Sequence, residues 1–195
     1  MKMNVPNRLT IIRLLLVPVF LVFILGFGGV TWGRIVSIAV FALASFTDFL
    51  DGKIARKYHL ITDFGKFLDP LADKFLVLAA LAALSYEAAS SSGNSKIFSV
   101  LFFCTFMIVL LRELAVTSMR LVVASSPDKK VVAASWLGKI KTCTQMFFIL
   151  AAMAEPLIWD GHIVTYIFMA AAAVMTLWSG MSYIVGYWKY LDPSK

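Results

Sequence analysis

Six apolar runs leave this chain almost nothing else to fold with. They fall at residues 10–27, 35–50, 71–84, 97–122, 142–159 and 163–188, separated by turn-rich breaks such as Gly28-Gly29, the Ser/Gly cluster at 90–93 and Asp160-Gly161. A membrane-spanning helix takes about 20 residues, so six spans use about 120. Of the 195 residues, only loops and tails then remain, too few for an independent soluble domain. Composition agrees: 61% of the chain is hydrophobic, 15% is charged and mean hydropathy is +0.85, far from the balance of a soluble domain. The expected fold is therefore an all-α integral membrane protein of six transmembrane helices, with residues 1–195 forming a single transmembrane domain. The second and third spans look short. Residues 2–8, interrupted by Pro6, read as a short interfacial segment before the first span.

The net charge of +7 would point to nucleic acid in a soluble chain, but here membrane topology accounts for it. With six spans both termini share a side. If that side is cytoplasmic, only Arg34 and Lys96 fall on the opposite face and the other 16 basic residues lie in or near cytoplasmic segments. The positive-inside rule thus places termini and polar loops in the cytoplasm, in a multi-pass inner-membrane protein. Lys2, Arg8 and Arg13 before an apolar run resemble a signal peptide, but no small-residue cleavage site follows, so an uncleaved first span is expected. Cys104 and Cys143 lie in apolar runs without Cys-x-x-Cys or His pairing and read as small core residues.

The chemistry concentrates where the second run ends and the third begins. Asp48, Asp51, Asp69 and Asp73 fall within 26 residues at the edge of hydrocarbon, where an acidic side chain is costly unless it faces a partner or a polar cavity. Asp48 and Asp51 share one helix face, and so do Asp69 and Asp73, so two antiparallel helices can direct four carboxylates at one space. Close together they repel unless cations intervene. Two divalent ions balance four charges, and oxygen donors without His or Cys favour Mg²⁺ or Mn²⁺. Gly52 and Gly65 clear space for a bulky ligand, and Arg56 suits a phosphate. Interfacial salt bridges to Lys53, Arg56, Lys66 and Lys74 would explain any one of these carboxylates, though not their regular spacing on two helices.

The pattern Asp-x-x-Asp-Gly-x-x-Ala-Arg, eight residues, Gly-x-x-x-Asp-x-x-x-Asp resembles the signature of the CDP-alcohol phosphatidyltransferases. Asp48, Asp51, Gly52, Ala55, Arg56, Gly65, Asp69 and Asp73 fill all eight positions. Further likeness to family members that use sn-glycerol 3-phosphate lies in Asn4-Val5-Pro6-Asn7-Arg8-Leu9-Thr10-Ile11-Ile12-Arg13, in Arg112-Glu113-Leu114 through Arg120, and in Gly138-Lys139-Ile140-Lys141-Thr142. The resemblance implies a homodimer whose active site opens to the cytoplasm. It also implies transfer of the phosphatidyl group from CDP-diacylglycerol to sn-glycerol 3-phosphate with release of CMP. It makes Asp48, Asp51 and Asp69 metal ligands. Asp73 would complete the metal site and act as the general base. Gly52, Ala55, Arg56 and Gly65 would line the CDP-diacylglycerol pocket, and Asn7 and Thr10 would either touch the nucleotide or cap the first helix.

The acceptor carries its own phosphate, and a second basic set is available for it. Arg112 and Arg120, eight apart, lie on similar faces of the fourth span, while Lys139 and Lys141 open the fifth. The two lysines read equally well as membrane anchors, whereas Arg112 lies deeper and needs a partner such as Glu113 or a ligand phosphate. Gly180 and Ser182 permit close helix approach, within the chain or between copies. His59 and His162 are not expected to be catalytic. Competing readings are a relative with another acceptor (serine, inositol phosphate or phosphatidylglycerol), a membrane prenyltransferase, and a cation transporter. All four motif aspartates cluster at one edge, with Glu87, Glu155 and Asp160 on the opposite surface, which argues against transport.

Overall fold

In hydrocarbon a backbone must satisfy its own hydrogen bonds, so uninterrupted apolar sequence folds as helix. The computed structural model describes residues 5–57, 63–125, 136–159 and 161–188, and these form six helices with no strand among them. They are α1 (Val5–Phe27), α2 (Thr31–Lys57), α3 (Asp63–Ser90), α4 (Lys96–Ser125), α5 (Trp136–Ala154) and α6 (Ile163–Tyr187), with one 3-10 turn, Glu155–Leu157, after α5. Three stretches are long and apolar enough to cross a membrane: Asn7–Phe27, Lys96–Leu121 and Ile163–Tyr187; Thr31–Thr47 is a shorter apolar one. The chain is a membrane protein with several apolar helices. The remaining helices have less apolar length because α2 and α3 carry the acidic motif and α5 opens on two lysines.

Two expectations are corrected. Val5 to Arg8 do not form a separate interfacial segment but belong to α1, because Pro6 sits in the first helical turn, where its missing N–H has no partner to lose; Lys2 lies outside the described residues. Cys104 and Cys143 are not core residues: both are exposed on outer faces of their helices, since an all-apolar run gives no sign of which face turns inward.

Tight connections set the arrangement. At 28–30 the chain reverses so closely that a Cβ on Gly28 would lie 2.1 Å from the Ile24 carbonyl oxygen, and one on Gly33 would lie 2.2 Å from that of Phe27. Only glycine allows that approach. Arg34 Nε donates to the Gly28 carbonyl at 2.9 Å, closing the end of α1. The connections α1–α2, α3–α4 and α5–α6 all lie at one end of the bundle. The start of α1, the end of α2, the start of α3, the end of α4, the start of α5 and the end of α6 therefore share the other end.

The core runs between these ends. Phe20 of α1 meets Phe41 of α2 with ring centroids 5.9 Å apart, and Phe102 of α4 meets Phe148 of α5 at 4.8 Å. Leu76, Leu81, Ile149 and Met153 fill the space between them. Outward-facing Leu15, Val22, Phe103, Trp178 and Val185 are exposed, an apolar girdle suited to lipid.

At the connection end, Glu87 pairs with Arg34, and Asn94 bonds His162 at 2.9 Å while the imidazole stacks on Phe98. Glu155 accepts the backbone N–H groups of Val164 and Thr165, both at 2.8 Å, and the Trp159 indole N–H at 3.2 Å. This carboxylate thus satisfies donors at the start of α6 that would otherwise be orphaned. Glu155→Ala is expected to cost about 1–3 kcal/mol and lower the thermal unfolding midpoint in detergent, with Glu155→Gln losing less. An unchanged midpoint for the alanine variant would refute the capping role.

Candidate active site at the motif end of the bundle

Backbone geometry puts Asp48, Asp51, Gly52, Ala55 and Arg56 in the last turns of α2, and Gly65, Asp69 and Asp73 in the first turns of α3. The two halves of the motif thus meet at one end of the molecule, joined by residues 58–62. Their side chains, and His59 entirely, lie outside the described residues. Alongside them, α1 presents Asn7, Thr10 and Arg13 at helical spacing, all buried, Arg13 with 0% exposure. A buried guanidinium survives only when paired. In the sequence Arg13 closes the N-terminal segment of family likeness but carries no assigned role.

The basic set is described in full atomic detail. Glu113, 8% exposed on α4, accepts through one carboxylate oxygen from Lys141 Nζ on α5 and, at 3.1 Å, from Arg112 Nη1. Lys141 is itself 5% exposed, so the anchor reading fails for it. Lys139 is exposed on the opposite side of the first turns of α5 and takes no part in this ion-pair set. Arg112 Nη2 donates to Ser179 Oγ of α6, and its Nε is buried without a hydrogen-bond partner. Gly180 gives its stem room: a Cβ there would lie 3.2 Å from Arg112 Cγ. That close approach is within this chain, while Ser182 is exposed.

Arg120 Nη2 donates to the Tyr183 hydroxyl at 2.8 Å. The guanidinium carbons of Arg112 and Arg120 lie 5.3 and 5.2 Å from the centroid of the Tyr183 ring, so the eight-residue spacing does bring both arginines to one face. Gln145 Nε2 donates to Thr176 Oγ1 at 3.0 Å, tying α5 to α6 below the charged set. Lys74 ties this set to the helix that carries the second half of the motif. Lys74, the residue after Asp73, donates through Nζ to Thr117 Oγ1, which in turn donates to the Glu113 carbonyl at 2.6 Å. The sequence missed Ser179, Tyr183 and Thr117. Their signal was the polar series Thr176, Ser179, Gly180, Tyr183 at helical spacing in an otherwise apolar span.

With a carboxylate-rich helix pair beside a caged basic cluster, the site suits a reaction between phosphate-bearing substrates at a membrane surface. Residues 3–178 match the CDP-alcohol phosphatidyltransferase family, and the chain belongs to that family, a membrane-bound class of divalent-metal-dependent phosphotransferases. Among its relatives is a protein of Bacillus subtilis named CDP-diacylglycerol–glycerol-3-phosphate 3-phosphatidyltransferase, 36% identical over 98% of both chains. A Salmonella typhimurium protein of the same name is 36% identical over 94% of each chain. A Mycobacterium tuberculosis protein named probable phosphatidylglycerophosphate synthase is 38% identical over 93% of this chain and 80% of its own.

Glu113→Ala should leave Lys141 and Arg112 buried without their shared counter-ion and cost about 3–5 kcal/mol. Pairing it with Lys141→Met should recover part of that loss in thermal unfolding. If Glu113→Ala alone unfolds at the parent temperature, the carboxylate is not what holds the two cations.

Proposed function

We propose that this chain transfers the phosphatidyl group of CDP-diacylglycerol to sn-glycerol 3-phosphate, giving phosphatidylglycerophosphate and CMP. The observation that carries the reading is the cation set of Arg112, Arg120 and Lys141 around Glu113, coupled through Thr117 to Lys74 beside the motif. Three cations and one carboxylate leave two positive charges, a match for the dianion of a phosphate monoester. A net-neutral, zwitterionic acceptor such as serine offers no dianion for these residues to balance. The names of the three relatives support the same acceptor.

In this reading Asp48, Asp51, Asp69 and Asp73 hold two divalent ions, Mg²⁺ or Mn²⁺. The all-carboxylate donor set fits hard cations, and the two helices that carry it meet at one end of the bundle. Such ions supply charge neutralisation of the diphosphate. Gly52, Ala55, Gly65 and Asn7 line the CDP-diacylglycerol pocket, and Arg56 clamps a phosphate there. Arg112, Arg120 and Lys141, with Lys139 at the rim, orient the acceptor so that its free hydroxyl attacks the phosphorus next to diacylglycerol. Asp73 takes the hydroxyl proton as the phosphorus–oxygen bond to CMP breaks. The chain is read as one domain of six spans acting as a homodimer in the inner membrane, with termini and site facing the cytoplasm. Its 28-residue α3 and 19-residue α5 support the six-span reading: they are about 42 and 28 Å long, against a hydrocarbon core of about 30 Å.

Purified protein offered CDP-diacylglycerol with radiolabelled glycerol 3-phosphate, serine or inositol phosphate should label lipid only with the first. A preference for either other acceptor overturns the assignment. Chelation of divalent cations should abolish turnover, as should Asp48→Asn or Asp69→Asn in a protein that still folds; full activity in EDTA would sink the role of the acidic set. Sidedness has its own check. In a background lacking Cys104 and Cys143, a cysteine at Ser92 should react with an impermeant thiol reagent outside intact cells and one at Lys130 should not. The reverse pattern inverts the topology.

A further inference from the structure

We infer that Tyr183 of α6 is a positioning residue for the acceptor's phosphate: it presents Arg112 and Arg120 side by side and fixes their separation. This rests on the acceptor site proposed above and adds to it the element that shapes it. The two arginines stand two helical turns apart on α4, and nothing on α4 itself holds both guanidinium groups in one plane of action. Tyr183 touches both. Its ring lies 5.3 Å from the Arg112 guanidinium carbon and 5.2 Å from that of Arg120. The hydroxyl accepts from Arg120 Nη2 at 2.8 Å.

The tyrosine is itself held firmly. It is 5% exposed, its ring stacks on Tyr187 at 5.9 Å, and Val116 and Val123 of α4 pack with this pair. Gly138, at the start of α5, lies beside the hydroxyl, where a Cβ would make ordinary contact at 3.7 Å. Arg120 is exposed, and an exposed arginine loses much side-chain entropy when it must hold one geometry. The stacking surface and the hydroxyl meet that cost before the acceptor arrives, which is how preorganisation raises affinity. Arg112, whose guanidinium carbon lies over the same ring, keeps a buried Nε with no hydrogen-bond partner. Phenylalanine at 183 would keep the surface and lose the anchor. Leucine would lose both.

Steady-state kinetics on the full-length protein in mixed micelles separates these contributions. Tyr183→Phe should raise the KM for glycerol 3-phosphate about 5- to 20-fold, the loss expected for one hydrogen bond to a charged group. Its kcat and its KM for CDP-diacylglycerol should stay within about twofold of the parent. Tyr183→Leu should raise the acceptor KM further. In an Arg120→Ala background Tyr183→Phe should add almost nothing, a non-additivity that a purely structural tyrosine would not produce. If Tyr183→Phe leaves the acceptor KM unchanged while Arg112→Ala and Arg120→Ala raise it, the inference is wrong and the acceptor site stands. If the arginine variants leave it unchanged as well, the acceptor site falls and the inference falls with it. Equal losses in both substrates' KM would mark Tyr183 as packing alone.

Discussion

Glu113 is the charge on which the rest of the motif end depends. Two cations, one from its own helix and one from α5, converge on a single carboxylate oxygen inside a bundle of apolar helices. Isolated, either cation would be too costly to bury there; Glu113 between them offsets that cost and ties α4 to α5. The arrangement has a directional consequence. Because Glu113 neutralises only part of the surrounding charge, the set remains net positive and aimed at the end of the molecule where α2 and α3 bring the acidic motif.

The two ends of the bundle solve the same problem differently. At the connection end, polar groups are consumed: Arg34 is spent on Glu87 and on the carbonyls of Gly28 and Ala152, and Glu155 on the N–H groups at the start of α6. These contacts close helix ends. At the motif end, donors are left over. Among the described residues, Arg112 Nε is buried without a hydrogen-bond partner and Arg120 is exposed, held at Tyr183. A surplus of donors is costly for stability and is what a site for anionic substrates requires.

Much of this was legible in the sequence. The helices, their order and the end at which each charge falls follow from apolar runs and turn residues, and the spacing of Arg112 and Arg120 correctly gave a shared face. Helix limits were less legible: the apolar runs at 35–50 and 71–84 under-measured α2 and α3, because the helical backbone continues through the charged motif, where hydropathy no longer marks it. Lys139 and Lys141 looked equivalent. They part company because two residues on a helix differ by about 200°, so one faces Glu113 and the other solvent. Tyr183 and Ser179 were hidden for a simpler reason. Tyrosine in an apolar span reads as an interfacial belt residue until a partner on another helix is known.

The architecture separates what every family member needs from what one reaction needs. On the proposed reading the phosphatidyl donor is handled where α2 and α3 meet, on backbone positions set by the motif, and the acceptor set is built from α4, α5 and α6. Lys74 and Thr117 provide a contact between the helices that carry the two. A change of acceptor would then fall on α4, α5 and α6, with the carboxylates left in place. It also explains why so much polar sequence is carried on α6, otherwise an apolar span. Thr176, Ser179, Gly180 and Tyr183 form the wall against which the arginines of α4 are set, and a wall of leucines would leave those arginines buried without acceptors or turned out to the headgroups. In the proposed acceptor site the face of α6 therefore matters to the choice of alcohol as much as the cations it positions.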